Sequence, residues 1–283
     1  MRWYPANQAS IQFSVDSFPI AAAFDGANIW VANQGGNDVT KLRASDGALL
    51  GTFPAGPAPS AVAFDGANVW VTNKGGSDTV TKLRASDGSN LGSFSVGLNP
   101  SGIAFDGANI WVTNFTDNNV TKLRASDGAS LGTFAVGSGP FGIAFDGANL
   151  WVANFKDGTV SELRASDGST VNTFSAGAGP TCVSFDGANI WVTNGSDATV
   201  SELRAADGSS LGTFSVGSAP AGIAFDGANV WVANRTNGTV TKLRGSDGGS
   251  LGTFNVGKGP SAIAFDGANV WVVNFNSGTV SKL

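Results

Sequence analysis

The chain has no histidine, and among its 283 residues it has one cysteine (Cys182), one tyrosine (Tyr4) and one methionine (Met1). Without imidazole there is no Ser-His-Asp or Cys-His apparatus and no histidine-ligated metal site, and a lone thiol makes no cysteine cluster. One thiol forms no intrachain disulfide, so the redox compartment is left open. Charged residues are only 13% of the chain and the net charge is −5, which disfavours broad nucleic-acid binding. No apolar run approaches the ~18 residues of a membrane-spanning helix, so no membrane insertion is expected. The opening Met1-Arg2-Trp3-Tyr4-Pro5 lacks the apolar core of a signal peptide. Glycine (40), phenylalanine (19) and tryptophan (8) are plentiful, so a sizeable core is within reach and disorder is not expected.

The chain is a repeat. The string FDGAN occurs seven times, with its aspartate at Asp25, Asp65, Asp106, Asp146, Asp186, Asp226 and Asp266, in steps of 40 or 41 residues. A tryptophan follows each aspartate by five: Trp30, Trp70, Trp111, Trp151, Trp191, Trp231 and Trp271. Residues 101–140 and 221–260 agree at 29 of 40 positions. Such identity points to recent amplification or consensus design; the extra residue before Thr79 and the lone Cys182 favour a natural origin.

Each unit holds four short runs rich in valine, threonine, phenylalanine and tryptophan, residues that favour pleated, half-buried surfaces. Asp-Gly turns separate them, supplying the positive φ of tight hairpins. No run combines helical length with a 3.6-residue period. Four strands about every 40 residues is the spacing of propeller blades. The expected fold is therefore all-β: a seven-bladed β-propeller with four antiparallel strands per blade. Units start near residues 20, 60, 101, 141, 181, 221 and 261. Small residues in the first run suit an innermost strand, and the tryptophan of the second run suits the space between blades. The last unit holds only three strands, while Phe13-Ser14-Val15 and Pro19 match Phe254-Asn255-Val256 and Pro260 in spacing. Residues 10–19 are thus expected to supply the outer strand of the last blade and remove an open edge. Residues 1–9 are left as an N-terminal tail or cap, and a monomer is expected.

The unit GPFGIAFDGANLWVANFKDGTVSELRASDG resembles the bacterial YVTN-type β-propeller repeat, with WVTN or WVAN in place of the tyrosine-led version. It is similar, more distantly, to NHL repeats and to virginiamycin B lyase-like propellers. The resemblance covers about residues 10–283. It implies a binding or scaffold domain, often outside the cytoplasm. The lyase relative relies on histidine, so the resemblance does not carry that activity to this chain, and it implies no cofactor.

A propeller assigns its loops to two faces. The Asp-Gly-Ala-Asn and Ala-Ser-Asp-Gly turns on one face recur almost unchanged. The other face varies: Gln34, Lys74, Phe115, Phe155, Gly195, Arg235 and Phe275 follow the repeated asparagine. Phe18, Ala58, Asn99, Gly139, Lys258 and Phe141 lie beside the prolines. Variation is expected where folding is indifferent, and loops on a rigid scaffold often carry function. The candidate binding residues are therefore Gln34, Lys74, Phe115, Phe141, Phe155, Arg235 and Phe275. Relaxed loops without a ligand are the competing account, and for the phenylalanines local packing is the simpler one.

The seven FDGAN aspartates form a weak candidate ring for Ca²⁺, but an Asx-type turn bond explains them better. The repeated asparagines, Asn33 to Asn274, read as turn or strand-end caps rather than a ligand ring. Arg43, Arg84, Arg124, Arg164, Arg204 and Arg244 each precede an aspartate by three and suggest local ion pairs. The only glutamates, Glu162 and Glu202, replace a lysine found in the other five units. A solvated peripheral strand, not an acid/base pair, is expected for them.

The leading functional expectation is a non-enzymatic propeller that binds a protein or glycan through the variable face. A lyase or hydrolase using Asp and Lys in the central channel is the alternative, disfavoured because near-equal blades make a chemically repetitive mouth. A purely structural repeat is the third reading.

Overall fold

The computed structural model describes residues 11–283, so the expected tail at 1–9 lies outside the described residues. Among the described residues, twenty-eight strands form seven separate four-stranded antiparallel sheets. In the first blade the strands run inner to outer as Pro19–Phe24, Asn28–Asn33, Asp38–Arg43 and Leu49–Pro54. The next six inner strands start at Pro59, Pro100, Pro140, Pro180, Pro220 and Pro260.

The turn after each inner strand is built by its aspartate. Asp25 Oδ1 accepts the amides of Ala27 and Asn28 at 2.9 and 2.7 Å, and Oδ2 accepts Trp30 Nε1 at 2.7 Å. The tryptophan bond recurs at 2.7 Å in all seven units. The second strand is thereby tied to the turn before it, and the indole is aimed sideways at the next blade.

That sideways aim makes the core. Trp30, Ala32 and Val39 pack with Val69, Val71 and Leu83 of the second blade, and Phe53 and Phe64 close the cluster. Trp271, Val273 and Val280 of the last blade pack with Ile29, Val31 and Leu42 of the first. Each tryptophan also meets a phenylalanine of its own outer strand, as Trp30 meets Phe53 at 5.4 Å. The core is therefore a ring of seven interfaces. The close approach of inner strands explains their small residues: a Cβ on Gly142 would lie 2.6 Å from Thr181 O of the following blade.

The ring closes as the sequence indicates. Ile11–Ser14 pairs antiparallel with Thr279–Lys282, with Phe13 opposite Val280, and Phe13 meets Trp271 at 5.5 Å. The strand is shorter than the 10–19 expected for it. Val15 N still bonds Gly278 O at 3.0 Å, and the chain enters the first inner strand at Pro19.

Candidate functional site

A cavity of about 340 Å³ occupies the channel at the centre of the ring. Its walls are inner-strand residues, among them Ala21, Ser60, Gly142, Cys182 and Ala262. Gln34, Lys74, Phe141, Arg235 and Phe275 also line it. Five of the seven sequence-selected residues therefore converge on one channel mouth. The other two are joined to it by ring contacts. Phe115, Phe141 and Phe155 form a triangle with centroid separations of 6.2, 6.4 and 6.5 Å. Lys156 Nζ lies 4.9 Å above Phe115. The triangle covers its members incompletely: Phe141 and Phe155 remain 40% and 37% exposed.

Position follows from the backbone. Thr113 donates its hydroxyl to Phe141 O at 2.7 Å, linking the third and fourth blades at the triangle. Each loop leading to an inner strand passes through a left-handed residue: Phe18, Ala58, Asn99, Gly139, Gly179, Ala219 and Gly259. This corrects the expectation that variation marks indifference to folding, because these positions demand positive φ. Glycine and asparagine satisfy that demand cheaply. Phe18, at φ 52°, is a bulky residue in a region such residues avoid. It is 52% exposed and meets Phe275 at 5.2 Å. Sequence reasoning left Phe18 out of the candidate site because φ is not legible in a loop of unique composition.

The electrostatics of the mouth are one-sided. Among the described residues, neither Lys74 nor Arg235 forms a salt bridge. The Arg235 guanidinium stacks 4.9 Å over Phe275. Burial, and then repulsion from Arg235, pushes the Lys74 ammonium below its ordinary value. Two cations thus share one partly apolar mouth without a carboxylate between them. Burial pushes the Cys182 thiol up, outweighing hydrogen bonds from the Ile223 and Val183 backbone.

The other sequence candidates resolve into local chemistry. All seven FDGAN aspartates bind their own turn and tryptophan. Among the described residues no three His, Cys, Asp or Glu side chains converge for a metal. Asn33 donates to Asp38 Oδ1 and Thr40 Oγ1 at 2.7 and 2.8 Å, capping the hairpin it begins. The six arginines make exposed ion pairs with the aspartate three residues on, 2.7–3.6 Å apart.

The glutamates require a correction. Glu162 and Glu202 are 6% and 5% exposed, not on a solvated periphery. Third strands lie inside each sheet, and these side chains pair across from Trp151 and Trp191 at the interface between blades.

No protein-family model and no curated protein matches the chain. Solved structures do resemble it. A Kuenenia stuttgartiensis hydrazine synthase chain superposes with a TM-score of 0.83 at 19% identity, covering 100% of this chain and 99% of that one. A streptogramin B lyase gives 0.82 at 17%, covering 96% of each chain. Virginiamycin B lyase from Staphylococcus aureus gives 0.81 at 17%, covering 96% and 97%.

These neighbours overturn the expectation that the chain is not an enzyme, which rested on the missing histidine and on the equality of the blades. Proteins with enzyme names share the whole ring, and the mouth is not repetitive, since Gln34, Lys74, Phe141, Arg235 and Phe275 are chemically distinct. At 17–19% identity the likeness speaks for the fold and not for a reaction. The chain is a seven-bladed β-propeller, similar in fold to the streptogramin B and virginiamycin B lyase structures.

Proposed function

We propose that the variable face is a recognition site for an acidic, partly apolar protein segment, bound over the channel mouth. The observation that carries this reading is the meeting of Lys74 and Arg235 at one cavity with no carboxylate partner. A ligand carboxylate would relieve their mutual repulsion and make charge-assisted hydrogen bonds to both. Phe275, Phe18 and the triangle of Phe115, Phe141 and Phe155 supply apolar surface beside those charges. Arg and aromatic residues are the types most enriched among interface anchors. Gln34 adds a neutral donor and acceptor. The fixed ring holds these loops with little reorganisation to make on binding.

The test uses the intact protein as bait for a library of acidic peptides, with Lys74→Ala, Arg235→Ala and Phe275→Ser beside it. Loss of either cation should weaken binding at least tenfold with the melting temperature unchanged, and raised salt should weaken the parent. Binding that survives both cation variants overturns the reading. A glycan array on the same variants identifies sugar recognition instead.

A further inference from the structure

Five blades carry a lysine on the third strand, and its ammonium has a fixed address. Lys82 Nζ donates to Ala125 O and Ser126 O of the following blade at 2.7 and 3.2 Å. It lies 4.9 Å above the Trp70 ring. Lys122 repeats this on Ala165 O and Ser166 O, and Lys282 on Ala44 O and Ser45 O. Lys41 reaches Ala85 O at 2.7 Å. Lys242 Nζ lies 4.0 Å from Oδ2 of its turn aspartate, Asp226. Every such blade therefore places a positive charge in the cleft between blades, over an indole face and, in four blades, against carbonyls of the next blade. The cleft is reachable from solvent: beside Lys82 it is an open pocket that Asp65, Ala125 and Ser126 also line.

Blades four and five carry glutamate at the lysine's register position and lose its cation. Glu162 Oε1 accepts Asn149 Nδ2 at 2.7 Å, and Glu202 Oε1 accepts Asn189 Nδ2 at 2.8 Å. In the other five blades that asparagine donates to the turn aspartate instead. Among the described residues the other carboxylate oxygen of each glutamate accepts no hydrogen bond, and no side chain takes the lysine's place on Ala205 O or Gly245 O. Aspartate plus lysine sums to zero charge, whereas aspartate plus glutamate sums to −2, in a setting where both glutamates are more than nine-tenths buried. Buried charge of one sign is costly without a counter-ion. Burial, and then the neighbouring Asp146 or Asp186, pushes each glutamate carboxyl above its ordinary value.

We propose that Asp146 and Glu162 with the Ala205 carbonyl, and Asp186 and Glu202 with the Gly245 carbonyl, are two equivalent sites for a hard divalent cation of the Ca²⁺ class. The ion would stand where the other blades hold an ammonium. The independent support is that address itself, since in four sister blades the same backbone carbonyls hold a cation. The donors are all oxygen, as Ca²⁺ prefers, and water completes a coordination number of about 6–8. Two carboxylates with a largely aqueous remainder place the affinity in the weak range, Kd near ~10⁻⁴–10⁻³ M.

Terbium(III) reads the proposal directly, because Trp151 and Trp191 sit beside the sites and sensitise its luminescence. Trp-excited emission should saturate at two ions per chain and be displaced by Ca²⁺ at millimolar concentration. The double variant Glu162→Lys/Glu202→Lys installs the residue of the sister blades, so it should fold normally, as melting confirms, and lose at least tenfold of the emission. In the parent, about 10 mM Ca²⁺ should raise the melting temperature by a few degrees, through preferential binding to the native state; in the double variant it should not. Emission that is absent, or unchanged in the double variant, overturns the proposal. So does a melt that responds to acid but not to Ca²⁺, since a shared proton would then satisfy the pair.

Discussion

Trp111 donates its indole N–H to Asp106 Oδ2 at 2.7 Å, and that bond joins the turn of a blade to its interface with the next. Trp111 is fully buried in a cluster with Leu150 and Val152 of the fourth blade. The indole needs its partner because a buried N–H without an acceptor is expensive, and the aspartate gains a donor that neutralises part of its desolvation. Asp106→Ala removes this bond together with those from the Ala108 and Asn109 amides. The expected cost is about 2–4 kcal/mol, from the charged hydrogen bonds and the stranded indole. Urea unfolding at neutral pH measures it.

The same carboxylates set an acid limit. Burial raises Asp25, Asp65, Asp106, Asp226 and Asp266, but bonds from their asparagine, tryptophan and backbone amides outweigh it, so each lies below the ordinary value. A depressed native value gives stability that is complete above the unfolded value of about 3.9 and lost as pH falls through the native one. The melting temperature should therefore fall steeply below about pH 4. Asp106→Asn should lose part of that dependence while lowering stability at neutral pH. An acid limb equally steep in the variant would assign the effect to other groups.

Glu162 and Glu202 carry the opposite sign. Their raised native values favour the protonated form, so stability is greatest below the unfolded value and declines as pH rises through the native one. In chelator at neutral pH, Glu162→Gln should raise the melting temperature by about 2–4 °C, the size of roughly 1 kcal/mol in a domain this large. A lower melt in the variant would show that the carboxylate is held favourably as a charge.

Ring closure should be costly to remove. Deleting residues 1–16 strips Phe13 from Trp271 and leaves Thr279–Lys282 as an unpaired edge. Exposed edges template association, so the deleted protein should melt lower and enter larger species on size exclusion. A monomer with an unchanged melt would mean that the strand contributes nothing to closure.

Phe18 separates function from folding. Asn99 holds the same left-handed position in the third blade, and asparagine tolerates it where phenylalanine is strained by about 1–3 kcal/mol. Phe18→Asn should match or exceed the parent in melting temperature although it loses the contact with Phe275. It should bind acidic peptide more weakly. A large loss of stability would identify Phe18 as loop packing.

Sequence alone determined the blade, because its bonds are local. An aspartate reaching a tryptophan five residues on, or an arginine reaching an aspartate three residues on, needs only the hairpin between them, and 40-residue spacing repeats that hairpin seven times. The missing fourth strand likewise told where the N-terminus had to go. The division of loops between faces followed from strand count, so Gln34, Lys74, Phe141, Arg235 and Phe275 could be grouped before their convergence was visible. Only the tertiary structure decided the environments between blades. Glu162 looks peripheral along its strand and is buried because the neighbouring blade covers it. Lys74 and Arg235 stand four blades apart in the chain, and the curvature of the ring brings them to one mouth. Burial, charge summation and pairing across interfaces depend on distances that close only when the ring closes.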